Sequence, residues 1–124
     1  KLPFIYVRAK PKEHGMGNQI EGYYEPGKKI VVIEDLISTG KSSLQVAEVL
    51  KQSGLEILGM VSIFNYGFDQ AKTAFESAGI RLRSLTDYPT LISLALEKGL
   101  VSADQQGALL KWREDAASWG QHKS

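Results

Sequence analysis

A short strand-to-helix pattern at residues 30–43 constrains the fold of this chain more than any other feature. Residues 30–33 are four branched apolar residues, typical of a buried strand, and they run directly into Glu34 and Asp35. A polar loop and then a helical pattern follow. A buried strand that leads at once into a helix predicts a parallel sheet with helices packed on it.

The rest of the chain alternates between strand and helix patterns. Strand patterns occupy residues 4–8, 19–24, 30–35, 56–65 and 80–85, and helical patterns occupy residues 42–53, 69–78, 89–98 and 103–118. We expect Gly54 and Gly79 to end the first two helices and Asp69 to be the N-cap of the second. We therefore predict one α/β domain over residues 1–124, with a mostly parallel sheet flanked by helices. Ligands of such sheets bind beyond the carboxyl ends of the strands, where the two carboxylates lie.

Two of the helical patterns present an apolar face. In the first helix this face consists of Leu44, Val46, Ala47, Val49 and Leu50. In the last helix, Leu109, Trp112, Ala116 and Trp119 recur at helical spacing. Such a stripe predicts packing in the core or at a dimer interface rather than a ligand site.

The loop after the acidic pair carries groups that can hold a sugar and its phosphate. Its residues are Ser38, Thr39, Gly40, Lys41 and Ser42. Carboxylates at the strand end can accept hydrogen bonds from ribose hydroxyls or from waters on a metal ion. Loop amides and a helix N-terminus favour an anion. The alternative is an acidic strand end followed by a polar turn, which is common in α/β proteins.

The same stretch narrowly misses a second phosphate motif. Gly40, Lys41 and Ser42 match the end of a Walker A loop, but Asp35 stands where that loop needs its first glycine. An aspartate there would place a carboxylate beside the phosphates and would lack the backbone freedom of glycine. The P-loop NTPase interpretation is therefore weak.

The run Glu34-Asp35-Leu36-Ile37-Ser38-Thr39-Gly40 resembles the ribose-5-phosphate loop of the type I phosphoribosyltransferases. The resemblance implies that the two acids contact the ribose hydroxyls of phosphoribosyl pyrophosphate (PRPP). It also implies that residues 36–42 hold the 5′-phosphate. Mg²⁺ carried by the pyrophosphate is the expected cofactor, with no protein residue as its direct ligand.

A cationic segment precedes the acidic strand. Arg8, Lys10 and Lys12 place three cations within five positions, and His14 follows. Pro11 and the neighbouring glycines predict a loop that leaves a strand. Such a loop suits closure over a polyanionic leaving group such as pyrophosphate. For a charge cluster taken alone, a solvated basic hairpin is the preferred alternative.

This segment resembles the catalytic loop of the orotate phosphoribosyltransferases, in which an Arg is followed by Lys-x-His-Gly and then Gly-Asn-Gln-Ile-Glu-Gly. Arg8, Lys12, His14 and Gly15 fall on matching positions. The resemblance implies a homodimer in which Arg8, Lys12 and His14 bind pyrophosphate in the neighbouring subunit's site. The catalytic residues expected from it are Lys12 and His14, together with Asp35.

Two positions depart from the family pattern. Ala9 stands where some members carry a further lysine, which leaves the role of Lys10 open. Residues 64–68 contain no arginine, although some members place one there that touches orotate. We assign no orotate contact to Tyr66, whose ring can either stack near the base or pack at the rim. Ser38 falls on the hydroxyl position that contacts orotate in the family.

Composition excludes several classes of function. Fifteen basic and fourteen acidic residues give a net charge of +1, so charge provides no case for nucleic-acid or membrane binding. The absence of cysteine excludes a disulfide framework and thiolate metal sites. The apolar runs are too short to span a membrane and no signal-peptide pattern is present, so a cytoplasmic location is expected.

The first strand pattern begins at Phe4 with no initiator methionine before it. We therefore expect this chain to be the C-terminal part of a longer enzyme. The resemblance implies that the N-terminal part would supply a hood over the base and a second pyrophosphate-binding loop.

The sequence thus predicts transfer of the phosphoribosyl group of PRPP to orotate, giving orotidine 5′-phosphate and pyrophosphate in pyrimidine (UMP) biosynthesis. One alternative is a phosphoribosyltransferase for a purine or uracil, which the Lys-x-His-Gly loop disfavours. The other is a non-catalytic regulator that senses PRPP and binds nucleic acid. The near-neutral charge and the absence of a basic helix disfavour that regulator.

Overall fold

A parallel sheet with helices forms the body of the molecule, which the computed structural model describes over residues 2–9 and 19–116. In chain order the described elements are β1 (Tyr6–Val7), β2 (Ile20–Glu21), β3 (Lys29–Ile37), α1 (Lys41–Gln52), β4 (Glu56–Asn65), α2 (Asp69–Ala78), β5 (Leu82–Asp87), α3 (Tyr88–Glu97) and α4 (Ala103–Glu114). β1 and β2 pair as a short antiparallel ribbon, and β3, β4 and β5 form the parallel sheet. The predicted α/β fold with a parallel sheet flanked by helices is confirmed.

The three strands of the parallel sheet lie in sequence order and end level with one another. Ile37 is opposite Asn65, and Asn65 is opposite Asp87, so the carboxyl ends of the strands form one edge of the described sheet. Both crossovers step in the same direction. Because such crossovers are right-handed, α1 and α2 lie on the same face, where they contact each other.

The main core lies between that face of the sheet and the two helices. Val32 and Met60 from the sheet pack with Ala47 of α1 and with Ala71 and Phe75 of α2. All of these side chains are buried. Burial of one large apolar side chain stabilises the fold by roughly 1.5–3 kcal/mol, so this layer is the main source of stability in the described body.

The buried face also contains a pair of hydroxyls. Ser62 of β4 is opposite Ser84 of β5, and their Oγ atoms are 2.6 Å apart. Ser62 is fully buried. Each hydroxyl therefore provides the hydrogen-bond partner that a buried polar group requires.

The two predicted helix ends and the predicted start of α2 at residue 69 are confirmed, but the predicted N-cap of α2 is wrong. Gly54 follows the end of α1 and Gly79 closes α2, both with positive φ. Phe68, in an extended conformation, holds the N-cap position, and Asp69 is the first helical residue. Asp69 still places a carboxylate in the first turn, where the helix dipole favours it.

Four of the five described strands differ from prediction at one boundary or more, whereas β4 matches it. β3 continues two residues beyond the acidic pair, since Leu36 and Ile37 pair with the end of β4. β5 starts at Leu82 rather than residue 80, because Ile80 closes α2 and packs in the core. β1 and β2 are two residues each, shorter than their patterns predicted.

The last two helices form a hairpin beside β5. Asp87 caps α3 by accepting a hydrogen bond from the Thr90 amide at 2.9 Å, and Ser102 forms a capping box with Gln105 at the start of α4. The hydrogen bonds from Thr90 lower the pKa of the Asp87 carboxyl. α4 ends at Glu114 instead of reaching residue 118.

The aromatic part of the α4 stripe packs inside the chain. The Trp112 ring lies 5.4 Å from that of Tyr88 and 5.8 Å from that of Tyr66, measured between centroids. Tyr88 also donates its hydroxyl to the Leu109 carbonyl at 3.0 Å. Leu109 and the half-buried Trp112 of this stripe therefore pack within the chain, while Trp119 lies outside the described residues.

Candidate functional site

The two carboxylates near the end of β3 lie in different surroundings. Glu34 is half-buried, and its Oε2 accepts a hydrogen bond from the Ser43 hydroxyl at 2.9 Å. Ser43 itself is buried in the first turn of α1. Asp35 is exposed, consistent with the alternation of side chains along a strand. Asp35 is thus the more accessible acid, and Glu34 joins the strand to the helix that follows the loop.

The loop from Ser38 to Gly40 brings the chain from β3 into α1 through a left-handed turn. Gly40 has φ +83° and is buried. A Cβ at this position would lie 2.9 Å from a ring carbon of Phe75. Both the backbone conformation and the close approach of α2 therefore require glycine here.

The N-terminus of α1 is open to an anion. Gly40 provides no side-chain cap, and the first turn of this fully described helix contains no acidic residue. The Lys41 amide makes only a long contact of 3.4 Å with Thr39 Oγ1. Amides at a helix start that lack acceptors, together with the helix dipole, favour binding of a phosphate.

The residues predicted to bind PRPP differ in accessibility. Ser38, Lys41 and Ser42 are exposed, and Thr39 is half-buried. Leu36 is 44% exposed, whereas Ile37 is fully buried and can offer a ligand only its backbone. The other predicted residues of the loop and strand end, except the buried Gly40, have side chains that a ligand could reach. Their individual roles, including that of Ser38 toward orotate, remain predictions.

A turn at the end of β4 lies beside this loop. The Tyr66 amide donates to the Ile37 carbonyl at 3.0 Å, and the Gly67 amide donates to Asn65 Oδ1 at 2.8 Å. From α4, the Arg113 guanidinium donates to the Gly67 carbonyl at 2.8 Å. Sequence reasoning missed Arg113, because 46 residues separate it from Gly67 and no local pattern connects them.

Tyr66 packs among other aromatic rings. Its ring stacks on Phe68 with centroids 5.3 Å apart and lies edge-on to Phe64. Burial raises the pKa of the neighbouring Tyr88 hydroxyl, and the nearby Tyr66 adds to this. These contacts give Tyr66 a packing role.

Of the predicted cationic segment the structure describes Arg8, and hydrogen bonds fix both its side chain and its backbone. Arg8 Nε donates to Glu21 at 2.8 Å, and the two side chains form an ion pair. The Arg8 amide donates to the Gln19 carbonyl at 2.6 Å, so residues 8 and 19 are direct neighbours. Lys10, Lys12 and His14 lie outside the described residues, so their place relative to the loop stays a prediction.

A cavity of about 510 Å³ lies along α2 and β5, and Asn65 and Gly67 of the turn after β4 also line it. Its lining includes Phe68, Phe75 and Leu82 and none of residues 34–42. Within residues 2–9 and 19–116, no cluster of three His, Asp or Glu side chains forms a metal site. No helix in those ranges has the length and apolar character needed to cross a bilayer.

Comparison with known proteins connects this site to a family. Over 119 residues the chain is 49% identical to an orotate phosphoribosyltransferase of Porphyromonas gingivalis, covering 96% of this chain and 57% of that protein. Its fold is similar to that of Leishmania donovani UMP synthase, with a TM-score of 0.74, 26% identity and coverage of 90% of this chain and 24% of the other. No protein-family profile matches the chain.

A third similar protein is the orotate phosphoribosyltransferase of Mycobacterium tuberculosis, whose structure is in complex with PRPP. The TM-score is 0.51 at 30% identity, over 56% of this chain and 41% of the other. The parallel sheet, the acidic strand end and the loop at the helix start define a type I phosphoribosyltransferase core. More narrowly, the chain is similar to orotate phosphoribosyltransferases over nearly its whole length, and it spans 57% of the length of the P. gingivalis relative.

Proposed function

We propose that this chain carries the phosphoribosyl-binding part of an enzyme that transfers the phosphoribosyl group of PRPP to orotate. The products are orotidine 5′-phosphate and pyrophosphate, in pyrimidine biosynthesis. The observation that carries the proposal is the acid-free, uncapped N-terminus of α1, which directly follows an acidic strand end. This geometry occurs in a chain that is 49% identical to an orotate phosphoribosyltransferase.

In this proposal the 5′-phosphate binds at the start of α1. The amides of Lys41 and Ser42 and the hydroxyls of Ser38 and Thr39 surround the position that an anion would take. The buried Gly40 keeps this loop against Phe75, so the donors are held in place before the ligand arrives. Pre-organised donors bind an anion without a further ordering cost.

Asp35 and Glu34 serve the sugar. The exposed Asp35 carboxylate can accept hydrogen bonds from ribose hydroxyls, while Glu34 does so only if it shares its carboxylate with Ser43. As the bond from the anomeric carbon to pyrophosphate breaks, positive charge develops on the ribose ring. Nearby carboxylates stabilise that charge, and the orotate nitrogen forms the new bond to the same carbon.

The cationic segment serves the leaving group. Arg8, Lys12 and His14 would neutralise the departing pyrophosphate, acting in the site of a neighbouring subunit of a homodimer. Arg8 would have to exchange its ion pair with Glu21 for this contact. These roles are electrostatic and require no covalent intermediate.

Mg²⁺ is the proposed cofactor, bound by the pyrophosphate of the substrate, where it would neutralise charge on the leaving group. The accessible carboxylate of Asp35 and the half-buried one of Glu34 suit contacts with waters of such a hard cation. We propose a cytoplasmic location for the enzyme.

A substrate panel tests the proposal. The protein that carries this chain is incubated with PRPP and Mg²⁺ and with orotate, uracil, adenine or hypoxanthine, and release of pyrophosphate is followed. Release with orotate alone is expected. If pyrophosphate is released only with a purine or with uracil, that base and not orotate is the acceptor. A DNA gel shift without release of pyrophosphate would favour the regulator.

The variant Lys12→Ala tests the leaving-group role. If Lys12 stabilises the departing pyrophosphate, turnover should fall by roughly 10²–10³-fold, while the Kd for the nucleotide product changes little. Lys28→Ala, at an exposed position in the turn before β3, is the matched control. Turnover of Lys12→Ala equal to that of Lys28→Ala would contradict the assignment.

A further inference from the structure

We infer that Arg113 is a positioning residue for the phosphate loop and that it acts through the turn at residues 65–68. The inference rests on the proposed function, because the loop has a ligand to position only if PRPP binds there. Arg113 belongs to α4 and lies far from the loop in sequence. Its effect has to pass through the hydrogen bonds and packing of the turn.

The turn is held from two sides. Arg113 donates to the Gly67 carbonyl at 2.8 Å, and Asn65 Oδ1 accepts from the Gly67 amide at 2.8 Å. Gly67 has φ +76°, a conformation that few other residues adopt readily. With its carbonyl and its amide both engaged, Gly67 has little freedom to change the direction of the chain.

A backbone hydrogen bond attaches this turn to the phosphate loop. The Tyr66 amide donates to the Ile37 carbonyl at 3.0 Å. Ile37 is fully buried and immediately precedes Ser38. A shift of Gly67 would therefore act first on Tyr66 and then on the residue that anchors the start of the loop.

Arg113 is suited to this task and is not needed to attach α4. Within the described residues its one hydrogen bond goes to Gly67, and its buried Nε has no partner there. Trp112 already attaches the helix, since its ring packs against Tyr66, Phe68 and Tyr88. Removing the Arg113 contact should therefore loosen the turn before it detaches the helix.

Amide hydrogen exchange tests the inference without any ligand. Arg113→Met keeps the apolar stem and removes the donor, and Arg113→Lys keeps one donor. Arg83→Met, at an exposed position on β5, is the control. In Arg113→Met, exchange of the Tyr66 amide should accelerate by about tenfold, the effect of losing one charge-assisted hydrogen bond.

If Arg113→Met destabilised the whole fold, exchange would also accelerate at amides far from the turn. The Met60 amide, which donates to the Arg81 carbonyl at 2.8 Å, should exchange as in the wild type. Arg113→Lys should give an intermediate rate at Tyr66, and Arg83→Met should give the wild-type rate. Unchanged exchange at Tyr66, or equal acceleration at Tyr66 and Met60, would overturn the inference. If Arg113→Met does not fold, the Tyr66 rate in Arg113→Lys decides by the same criteria.

PRPP binding provides the second readout and separates the two proposals. Calorimetric titration should show PRPP affinity falling by about tenfold in Arg113→Met and recovering partly in Arg113→Lys. If the wild-type protein binds no PRPP, the proposed function fails, and the exchange data still decide whether Arg113 positions the turn. Wild-type affinity in both Arg113 variants would show that the loop is positioned without Arg113.

Discussion

The two faces of the β3–β4–β5 sheet are covered very differently. On one face Val32, Met60 and Ser62 are buried beneath α1 and α2. On the other face Ile33, Ile63 and Leu85 are 64%, 55% and 77% exposed with respect to the described residues. Apart from Ser62, both sets are apolar, but only the first set packs against helices.

This difference shows which face supports the site. The loop residue Gly40 lies against Phe75, and Glu34 is joined to Ser43, and both contacts belong to the covered face. Strands of parallel sheets are ordinarily buried on both sides, and their sequences are apolar for that reason. We therefore expect changes on the covered face to affect both stability and ligand binding, whereas changes on the open face leave both nearly unchanged.

The largest expected effect is that of Phe75→Ala. This side chain is 3% exposed and contacts the loop at Gly40, so its removal should lower the free energy of unfolding by about 3–5 kcal/mol. Urea denaturation measures the loss. Leu85→Ala on the open face is the matched control and should change stability by about 0.5 kcal/mol or less. Equal losses in the two variants would remove the distinction between the faces.

Gly40→Ala tests whether packing against α2 also fixes the loop that follows β3. The new Cβ combines a positive φ with a 2.9 Å approach to Phe75, so we expect a loss of about 2–4 kcal/mol and weaker PRPP binding. Gly79→Ala is the control, since Gly79 also has positive φ but has no atom within 4 Å of the added carbon among the described residues. If both variants lose the same stability, backbone strain alone explains the effect and the close approach is unimportant.

Ser43→Ala removes the contact between the helix start and the acidic strand. Loss of a hydrogen bond to a carboxylate should lower stability by roughly 1.5–3 kcal/mol, toward the lower end because Glu34 is partly solvated. PRPP affinity should fall as well, because Glu34 becomes free to move. Ser42→Ala, at an exposed position one residue earlier, serves as the stability control. Unfolding curves that coincide for the two variants, or a PRPP titration of Ser43→Ala that matches the wild type, would argue against the role of Ser43.

The smallest effect is expected at the sheet edge, where Asp87 caps α3. Asp87→Ala should lower stability by about 1 kcal/mol, the usual contribution of an N-cap. Since folding lowers the pKa of this carboxyl, its contribution is complete above the unfolded pKa and is lost as pH falls through the folded value. Asp87→Asn keeps an acceptor but does not titrate. Its unfolding free energy should therefore fall less steeply than that of the wild type on acidification.

Local patterns in the sequence predicted the element order, the parallel sheet and the glycines that end α1 and α2. These features depend on a few neighbouring residues, and the physics of caps and alternation is local. The start of α2 was predicted correctly at residue 69, but its N-cap was not, because Phe68 in an extended conformation holds that position and Asp69 is the first helical residue. The start of β5 depends on its pairing with β4, which no property of residues 80–82 determines.

The site shows the same limit. The acidic pair and the polar loop were visible as a contiguous motif, and the open helix start follows from the residues that the motif contains. The hydrogen bond from Ser43 to Glu34 could not be predicted from the sequence, because it depends on how α1 is placed relative to β3. The contact between Arg113 and Gly67 requires the packing of α4 against α3 and against the turn after β4, and no spacing in the sequence encodes it.

The hydrogen bond between the buried Ser62 and the half-buried Ser84 has a consequence for how the strands align during folding. If β5 slipped by one residue, Arg83 or Leu85 would face Ser62, and a hydroxyl enclosed in the core would lose its only partner in the described residues. Such an orphaned group costs roughly 1–3 kcal/mol, enough to make the misaligned sheet rare. The two hydroxyls thus help to fix the register of β5 against β4. That register keeps the strand ends that border the loop level with one another.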